Sequence, residues 1–428
     1  MSLAPKTTRR VLVVGLGIAG MSTAIRLRQS GWEPVIVERA PARRPGGHFI
    51  ALFGTGRAAA QRLGVLDLIE NRTNTDSHSW EVDRKGHKRP GLGSGSIPGA
   101  APWILLRGDV EDGLYQGVPE DLEIRYSTQP VALDQDTDGV DVTLRDTAAD
   151  HEYTERFDLV VGADGVRSAV RRLAFGPDAN FVHPLGYMIA TALLDSQITG
   201  IGEKDSLVLA EPGRSLWTFS FKNHEPSLMF SYRTTDPAAE LARGPVESVR
   251  AAFGQPDPGP FLGEALERFA ATDHTVFDSA QQVRMRQFHN GRVVLVGDSA
   301  WCMTLYSGYG ASCGLAGGEL LGTYLDKYPD DVPAALVAWN EHMHPHVSYQ
   351  HQLVGRSRTL FTPHDRREQV MRTALIRTLN MPGVSGLARR RMQHHPTLSI
   401  KDRDIAILPD LSSTRDPSAG PDRALVGA

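Results

Sequence analysis

The sequence predicts an α/β protein in which a parallel nucleotide-binding sheet, gathered from separated segments, is interrupted by an antiparallel sheet and followed by helices. Three patterns carry this expectation. Val11-Leu12-Val13-Val14 is a continuous apolar run of the kind a buried parallel strand requires. A glycine cluster follows it, Met21 to Gln29 mixes apolar and basic residues as a helix does, Gly31 ends that helix, and Val35-Ile36-Val37 reads as a second buried strand. Strand, turn, helix and strand in such short compass make a βαβ unit. Phe157 to Val161 and Val293 to Val296 read as further strands of the same sheet. The second pattern has a period of two: Trp217, Phe219 and Phe221, then Leu228, Phe230 and Tyr232, alternate with smaller residues. That alternation predicts an antiparallel sheet with one packed and one open face. Glu211-Pro212-Gly213 and the stretch from Gln255 to Phe261 supply its turns. The third pattern is helical, from Val332 to about His394, with Leu336, Trp339 and Met343 on one face.

These patterns set the expected boundaries. The nucleotide-binding domain is read over 8–75, 101–176 and 281–330, and a substrate domain over 76–100 and 177–280. A helical segment occupies 331–409, and the Ser-, Pro-, Gly- and Asp-rich stretch 410–428 is expected to be a disordered tail.

Composition excludes several classes of function. The chain has 428 residues, 41% hydrophobic and 22% charged, which is ordinary for a globular protein. Lys and Arg number 46 against 50 Asp and Glu, and a net charge of -4 offers no basic face for nucleic acid. No apolar run approaches the roughly 20 residues that span a bilayer, and Met1 to Arg10 lacks the apolar core of a signal peptide. The only cysteines, Cys302 and Cys313, make no disulfide framework, so a cytoplasmic protein is expected, as monomer or homodimer. Histidines at 342, 344, 346 and 351 mostly miss a common helix face, and no metal site is expected.

The first chemical motif is Gly15-Leu16-Gly17-Ile18-Ala19-Gly20. Its first glycine suits a tight turn, its second the close approach of a pyrophosphate, and its third the packing of helix on strand. The helix N-terminus then supplies amide donors to the phosphates. Glu38, at the end of the second strand, is placed to accept from ribose hydroxyls, which favours FAD or NAD over NADP. This motif does not choose between those two.

Two later motifs do. Asp158-Leu159-Val160-Val161-Gly162-Ala163-Asp164-Gly165, continuing through Arg167 to Arg171, resembles the DG fingerprint of the FAD-dependent aromatic-hydroxylase-like superfamily, the group A flavoprotein monooxygenases. Gly291 to Ala300, containing Gly297-Asp298, is similar to the GD fingerprint of that family, and Ser307-Gly308-Tyr309-Gly310 follows at its spacing. The resemblance spans about residues 11 to 350. It implies one bound FAD on a Rossmann-like domain, with an inserted antiparallel β-sheet substrate domain. It also implies NAD(P)H as a transient reductant, with oxygen transfer to an apolar polycyclic or aromatic small molecule in natural-product metabolism. On the matching positions, Asp298 would accept from the ribityl hydroxyls, while Gly308, Gly310 and Ala311 would bring amides to the flavin pyrimidine. Arg107 would lie near the phosphates, Arg39 near the adenosine and Asp164 near FAD. Arg167 belongs to the same segment, or forms an ion pair within the domain.

The match has one departure. The family follows its aspartate with Ala-Ala, a histidine or tyrosine, and prolines; here the run is Ser299-Ala300-Trp301-Cys302-Met303-Thr304-Leu305-Tyr306. Without proline the wall expected beside the flavin loses a fixed φ, and Trp301 and Tyr309 bring aromatic bulk there. Some members resembling this family are non-redox cyclases of the Diels–Alderase type, which shape a polyene polyketide, and this loop motivates that alternative. Trp217, Phe219, Phe230, Trp301 and Tyr309 are the candidate substrate-pocket residues, with core packing as the other reading of the sheet aromatics.

Overall fold

The computed structural model describes residues 8–43, 47–91, 102–254, 257–272, 275–381 and 403–407. The expected tail 410–428 lies outside them. Among the described residues the strands form four sheets. The first orders β17 (His289–Asn290), β18 (Val293–Leu295), β11 (Leu159–Gly162), β1 (Arg10–Val14), β2 (Glu33–Val37) and β7 (Glu123–Arg125). Its pairs are parallel except β17 with β18. Val11 to Val14, Leu159 to Val161 and Val293 to Val296 are buried, as apolar runs in a sheet covered on both faces must be.

The second sheet has seven strands in the order β16 (Thr275–Val283), β12 (Val182–Leu193), β15 (His224–Arg233), β14 (Arg214–Phe221), β13 (Ser206–Glu211), β4 (Ser79–Val82) and β5 (Lys88–Pro90). All its pairs are antiparallel except β13 with β4. A third sheet holds β10 (His151–Phe157), β9 (Val140–Asp146) and β8 (Thr128–Gln135); a fourth pairs β3 (Phe49–Leu52) with β6 (Trp103–Leu106).

Register explains the two faces of the second sheet. Residues opposite one another in an antiparallel pair share a face. Trp217 stands opposite Met229, and Leu216 opposite Phe230, so these couples look in opposite directions. Leu216, Leu228 and Phe230 pack under helices α6 (Pro245–Phe253) and α7 (Gly259–Ala271), which follow α5 (Pro237–Arg243). The Phe230 ring meets Phe253 at 4.9 Å and Phe269 at 5.4 Å. Trp217, Phe219 and Met229 instead face Phe49, Ile104 and Leu106 of the fourth sheet. The expected open face therefore does not exist: helices cover one side and the nucleotide-binding domain the other.

The remaining helices serve the parallel sheet. α1 (Ile18–Gln29) links β1 to β2, and α2 (Gly54–Arg62), α3 (Arg107–Gly117), α4 (Ala169–Phe175) and the short α8 (Asp298–Trp301) follow in order. α9 (Gly310–Lys327) crosses α1 through a column of glycines. A Cβ on Gly314 would lie 3.6 Å from the Ala19 Cβ, on Gly318 2.5 Å from the Thr23 Oγ1, and on Gly322 2.5 Å from the Arg26 Cγ. Spaced four residues apart, these glycines present one flat stripe. α10 (Val332–Phe361) starts on an Asp331 cap and buries Leu336, Trp339 and Met343. α11 (Arg366–Leu379) starts on an Asp365 cap, and its buried Arg372 forks onto Glu81 of β4 at 2.6 and 2.7 Å.

Phe230→Ala is expected to lower stability by about 3–5 kcal/mol in denaturant unfolding, because its ring fills space between sheet and helices. A loss below about 1 kcal/mol would show that the face assignment is wrong.

Candidate cofactor site

Local backbone geometry opens a cleft at the top of the parallel sheet. Gly15 has φ 107°, and a Cβ there would stand 2.5 Å from the Ala163 carbonyl oxygen. A Cβ on Gly20 would stand 1.9 Å from the Gly15 oxygen, so helix and strand touch through hydrogen atoms alone. Gly17 differs: the nearest atoms to its Cβ position are Arg107 Nη2 at 3.8 Å and Glu111 Oε1 at 4.0 Å. Space is left in front of it, and an arginine stands across that space.

The longer helices that begin at this cleft, α1 behind Gly17 and α9 behind Tyr309, have no side-chain cap, and neither has the short α8. By contrast Ser168, Asp236, Asp331 and Asp365 cap α4, α5, α10 and α11. Uncapped first-turn amides carry a positive partial charge and lack intrahelical acceptors, which suits an anion or a developing oxyanion. The glycine column holds the two ends together. A Cβ on Gly297 would lie 2.7 Å from the Ala19 Cβ, which draws the GD turn against the start of α1.

Carboxylates flank these donors. Glu38 accepts from Leu16 N–H through Oε2 at 3.0 Å and from Ala40 N–H through Oε1 at 2.8 Å. Each oxygen keeps a further lone pair for a hydroxyl donor. Asp298 opens α8, and a Cβ on Gly310 would lie 3.8 Å from its Oδ1. Asp298 is open to water, yet protein walls it closely enough that desolvation raises its carboxyl above the usual range, with Arg107 opposing. Arg107, about half exposed, pairs with Glu111 at 2.7 Å. Gly308 (φ 62°) lies beside Phe53, whose ring meets buried Tyr309 at 5.9 Å; Ala311 is half-buried on the first turn of α9, and Arg39 is exposed.

The DG segment reaches the cleft through its backbone more than its side chains. Asp164 supports the start of α4 beside its Ser168 cap, accepting from Ser168 Oγ at 2.5 Å, Ala169 N–H at 2.6 Å and Val170 N–H at 3.1 Å. Arg167 pairs with Asp278 of β16 at 2.6 Å, an ion pair between domains rather than within one. Arg171, which closes the DG motif and had no role expected of it, is fully buried. It donates to Ser299 O at 2.8 Å, to Val166 O at 2.6 Å and to Asp178 at 2.6 Å. One guanidinium thus fastens the DG segment to the GD helix.

The proline-free loop is held by side chains instead. Thr304 (φ 64°) accepts from Tyr306 N–H, and Tyr306 Oη bonds Ser231 Oγ of β15 at 2.6 Å. His351 of α10 reaches Cys302 O at 3.3 Å. Two pocket candidates fall elsewhere. Trp301 turns into the core against Phe288 at 5.1 Å and Trp339 at 5.9 Å, because Gly317 leaves room for it there. Phe230 lies under α6 and α7, on the side of its sheet away from the cleft. Trp217 and Phe219 face the nucleotide-binding domain, where Phe219 stacks on Phe49 at 3.8 Å.

Sequence reasoning also misses His48, just before β3. Burial and Arg107 push its imidazole down to about 4, so it is neutral at pH 7, and its Nδ1 is buried without a partner. No local motif marks it; only the fold brings it beside Arg107. Among the described residues no three His, Cys, Asp or Glu side chains gather as a metal would need, and no helix is long and apolar enough to cross a membrane.

These features fit FAD: uncapped amides and Arg107 for the diphosphate, Glu38 for ribose, Asp298 for the ribityl chain, and the α9 amides for the flavin pyrimidine. Asp298→Ala is expected to weaken FAD binding about tenfold to a hundredfold, the loss of charge-assisted hydrogen bonds. Ultrafiltration of the FAD-equilibrated variant measures it; unchanged affinity would remove Asp298 from the site.

Comparison with known proteins agrees. The family model described as FAD binding domain matches residues 8–328. A flavin-dependent monooxygenase from an unknown prokaryotic organism is 27% identical over 350 residues, covering 80% of this chain and 87% of that one. The crystal structure of tetracycline destructase Tet(51) superposes with a TM-score of 0.74 at 23% identity, covering 95% of this chain and 100% of that one. Klebsiella pneumoniae HpxO complexed with FAD and uric acid gives 0.68 at 18% identity, covering 93% and 96%. The cleft and the matches lead to one assignment: the chain belongs to the FAD-binding-domain family, within the FAD-dependent aromatic-hydroxylase-like superfamily, and is an FAD-dependent oxidoreductase of the monooxygenase type.

Proposed function

We propose that this monooxygenase takes electrons from NAD(P)H and transfers one oxygen atom of O₂ to an apolar, ring-bearing small molecule in natural-product metabolism. The observation that carries this reading is the wall where the two domains meet. Phe49 of β3, Phe219 and Trp217 of β14, Met229 of β15 and Leu305 of the flavin loop form one apolar cluster. Stacked aromatic faces and a thioether suit a planar substrate and offer little to a strongly hydrated one. The relatives' names support the reaction class, since several are flavin-dependent monooxygenases.

FAD supplies the redox chemistry; the protein contributes position, exclusion of water and a fixed field. The Phe49–Phe219 stack and Trp217, braced by its indole N–H on Phe361 O at 3.2 Å, orient the substrate plane. The first-turn amides of α9 favour the form of the bound group that carries more negative charge. His48, neutral beside Arg107, offers Nδ1 as an acceptor for one hydroxyl donor.

Anaerobic mixing of the FAD-loaded protein with NADH or NADPH is expected to bleach the flavin band, faster when a binding aromatic compound is present. Readmitted O₂ should restore the colour and yield a product heavier by one oxygen atom. A flavin that stays oxidised with both nucleotides across a panel of aromatic compounds would overturn the proposal and leave the non-redox cyclase standing.

A further inference from the structure

An open hollow lies beside this apolar cluster. Leu185 and Tyr187 of β12, Gln282 of β16, and His351 and Arg358 of α10 line about 260 Å³. An adjoining hollow of about 260 Å³ shares Arg284 and His351 with it. Tyr187 and Val354 pack with Tyr306 of the flavin loop, and Ile189 and Phe361 belong both to this cluster and to the apolar cluster of Phe49 and Phe219. Hollow and apolar cluster are therefore neighbours.

The hydrogen-bonding groups in the hollow are unbalanced. Gln282 is 1% exposed, and its Oε1 accepts from Arg284 Nε at 3.0 Å and Nη2 at 2.6 Å. That fork fixes which end of the amide is oxygen. The amide nitrogen, Nε2, is then a buried donor with no acceptor. Such a donor is costly unless something fills its place. Arg284 keeps donors beyond the two it spends on Gln282, and among the described residues no carboxylate lies within ion-pair distance of it. The other guanidinium, Arg358, is satisfied by Glu368 at 2.9 Å and by Tyr187 Oη at 3.1 Å. Among the described residues no aspartate or glutamate lines either hollow. Among the described residues, Arg284 and the Gln282 amide thus keep donors that no acceptor answers.

We propose that this hollow is an oxyanion site, in which Arg284 and the Gln282 amide hold the carboxylate or phosphate of a small molecule. Anion binding stands on these side chains alone. Its assignment to the far end of the substrate, with the rings turned toward the flavin, rests on the monooxygenase reading. A guanidinium pairs with either anion in the same fork geometry, so two probes separate the sources.

Calorimetric titration of the FAD-loaded protein with benzoate, benzyl alcohol and inorganic phosphate tests the site. Benzoate or phosphate is expected to bind at least tenfold more tightly than benzyl alcohol. Tighter benzoate assigns the site to a carboxylate, and tighter phosphate assigns it to a phosphorylated ligand. Arg284→Gln, at an exposed position, should remove the preference and leave the FAD content unchanged. Gln282→Glu should also abolish anion binding, by placing a negative charge where the donor stood. Anion binding that is absent in the wild type, or equal in all three proteins, would overturn the proposal. Intact benzoate binding in a protein whose flavin NAD(P)H never bleaches would instead overturn the monooxygenase reading and leave the anion site in place.

Discussion

The close crossing of α1 and α9 sets the position of everything that can hold the cofactor. Gly314, Gly318 and Gly322 let the helix axes approach until backbone meets Ala19, Thr23 and Arg26 side chains. Two helices that start far apart in the sequence, at Ile18 and Gly310, therefore deliver their uncapped N-termini to one cleft. A Cβ added at Gly318 or Gly322 would stand 2.5 Å from Thr23 Oγ1 or Arg26 Cγ and push the helices apart. No side chain caps either helix, which leaves their first-turn amides for a ligand.

Around those donors the side chains divide the work. Glu38 and Asp298 offer lone pairs on either side, and Arg107 supplies the charge that partly offsets the cost of keeping Asp298 in a walled cleft. Arg171 is fully buried, and its Nη groups donate to two carbonyls and Asp178, which ties the DG segment to the GD helix. Tyr306 and His351 anchor the loop that other members of the family stiffen with proline. The anchoring partners come from the seven-stranded sheet and from α10, so the loop is tied to both.

Much of this is legible in the order of the amino acids alone. The βαβ unit, its glycines and Glu38 follow from local rules, because turn geometry and amide donors are local properties. The α/β class and the FAD-binding family follow from the order of three motifs. Other features need tertiary contacts. Period-two alternation announces two faces in the second sheet but does not say that both are covered, since a strand does not encode what packs on it. Phe219 and Phe230 look alike in sequence, yet one faces the cofactor domain and the other the helices. Trp301 sits in a cofactor motif and still belongs to the core, because Gly317, on a different helix, vacates its space. The glycine column of α9 is visible as letters, but its meaning depends on α1 lying against it. His48 and Gln282 acquire interest only from burial.

Diffraction from crystals grown with FAD tests the placement of the cofactor most directly. The diphosphate is expected against the first turn of α1 beside Gly17 and Arg107, the ribityl chain within hydrogen-bond reach of Asp298, and the flavin ring over the start of α9. Flavin density anywhere else, or a cleft that stays empty at saturating FAD, would contradict it.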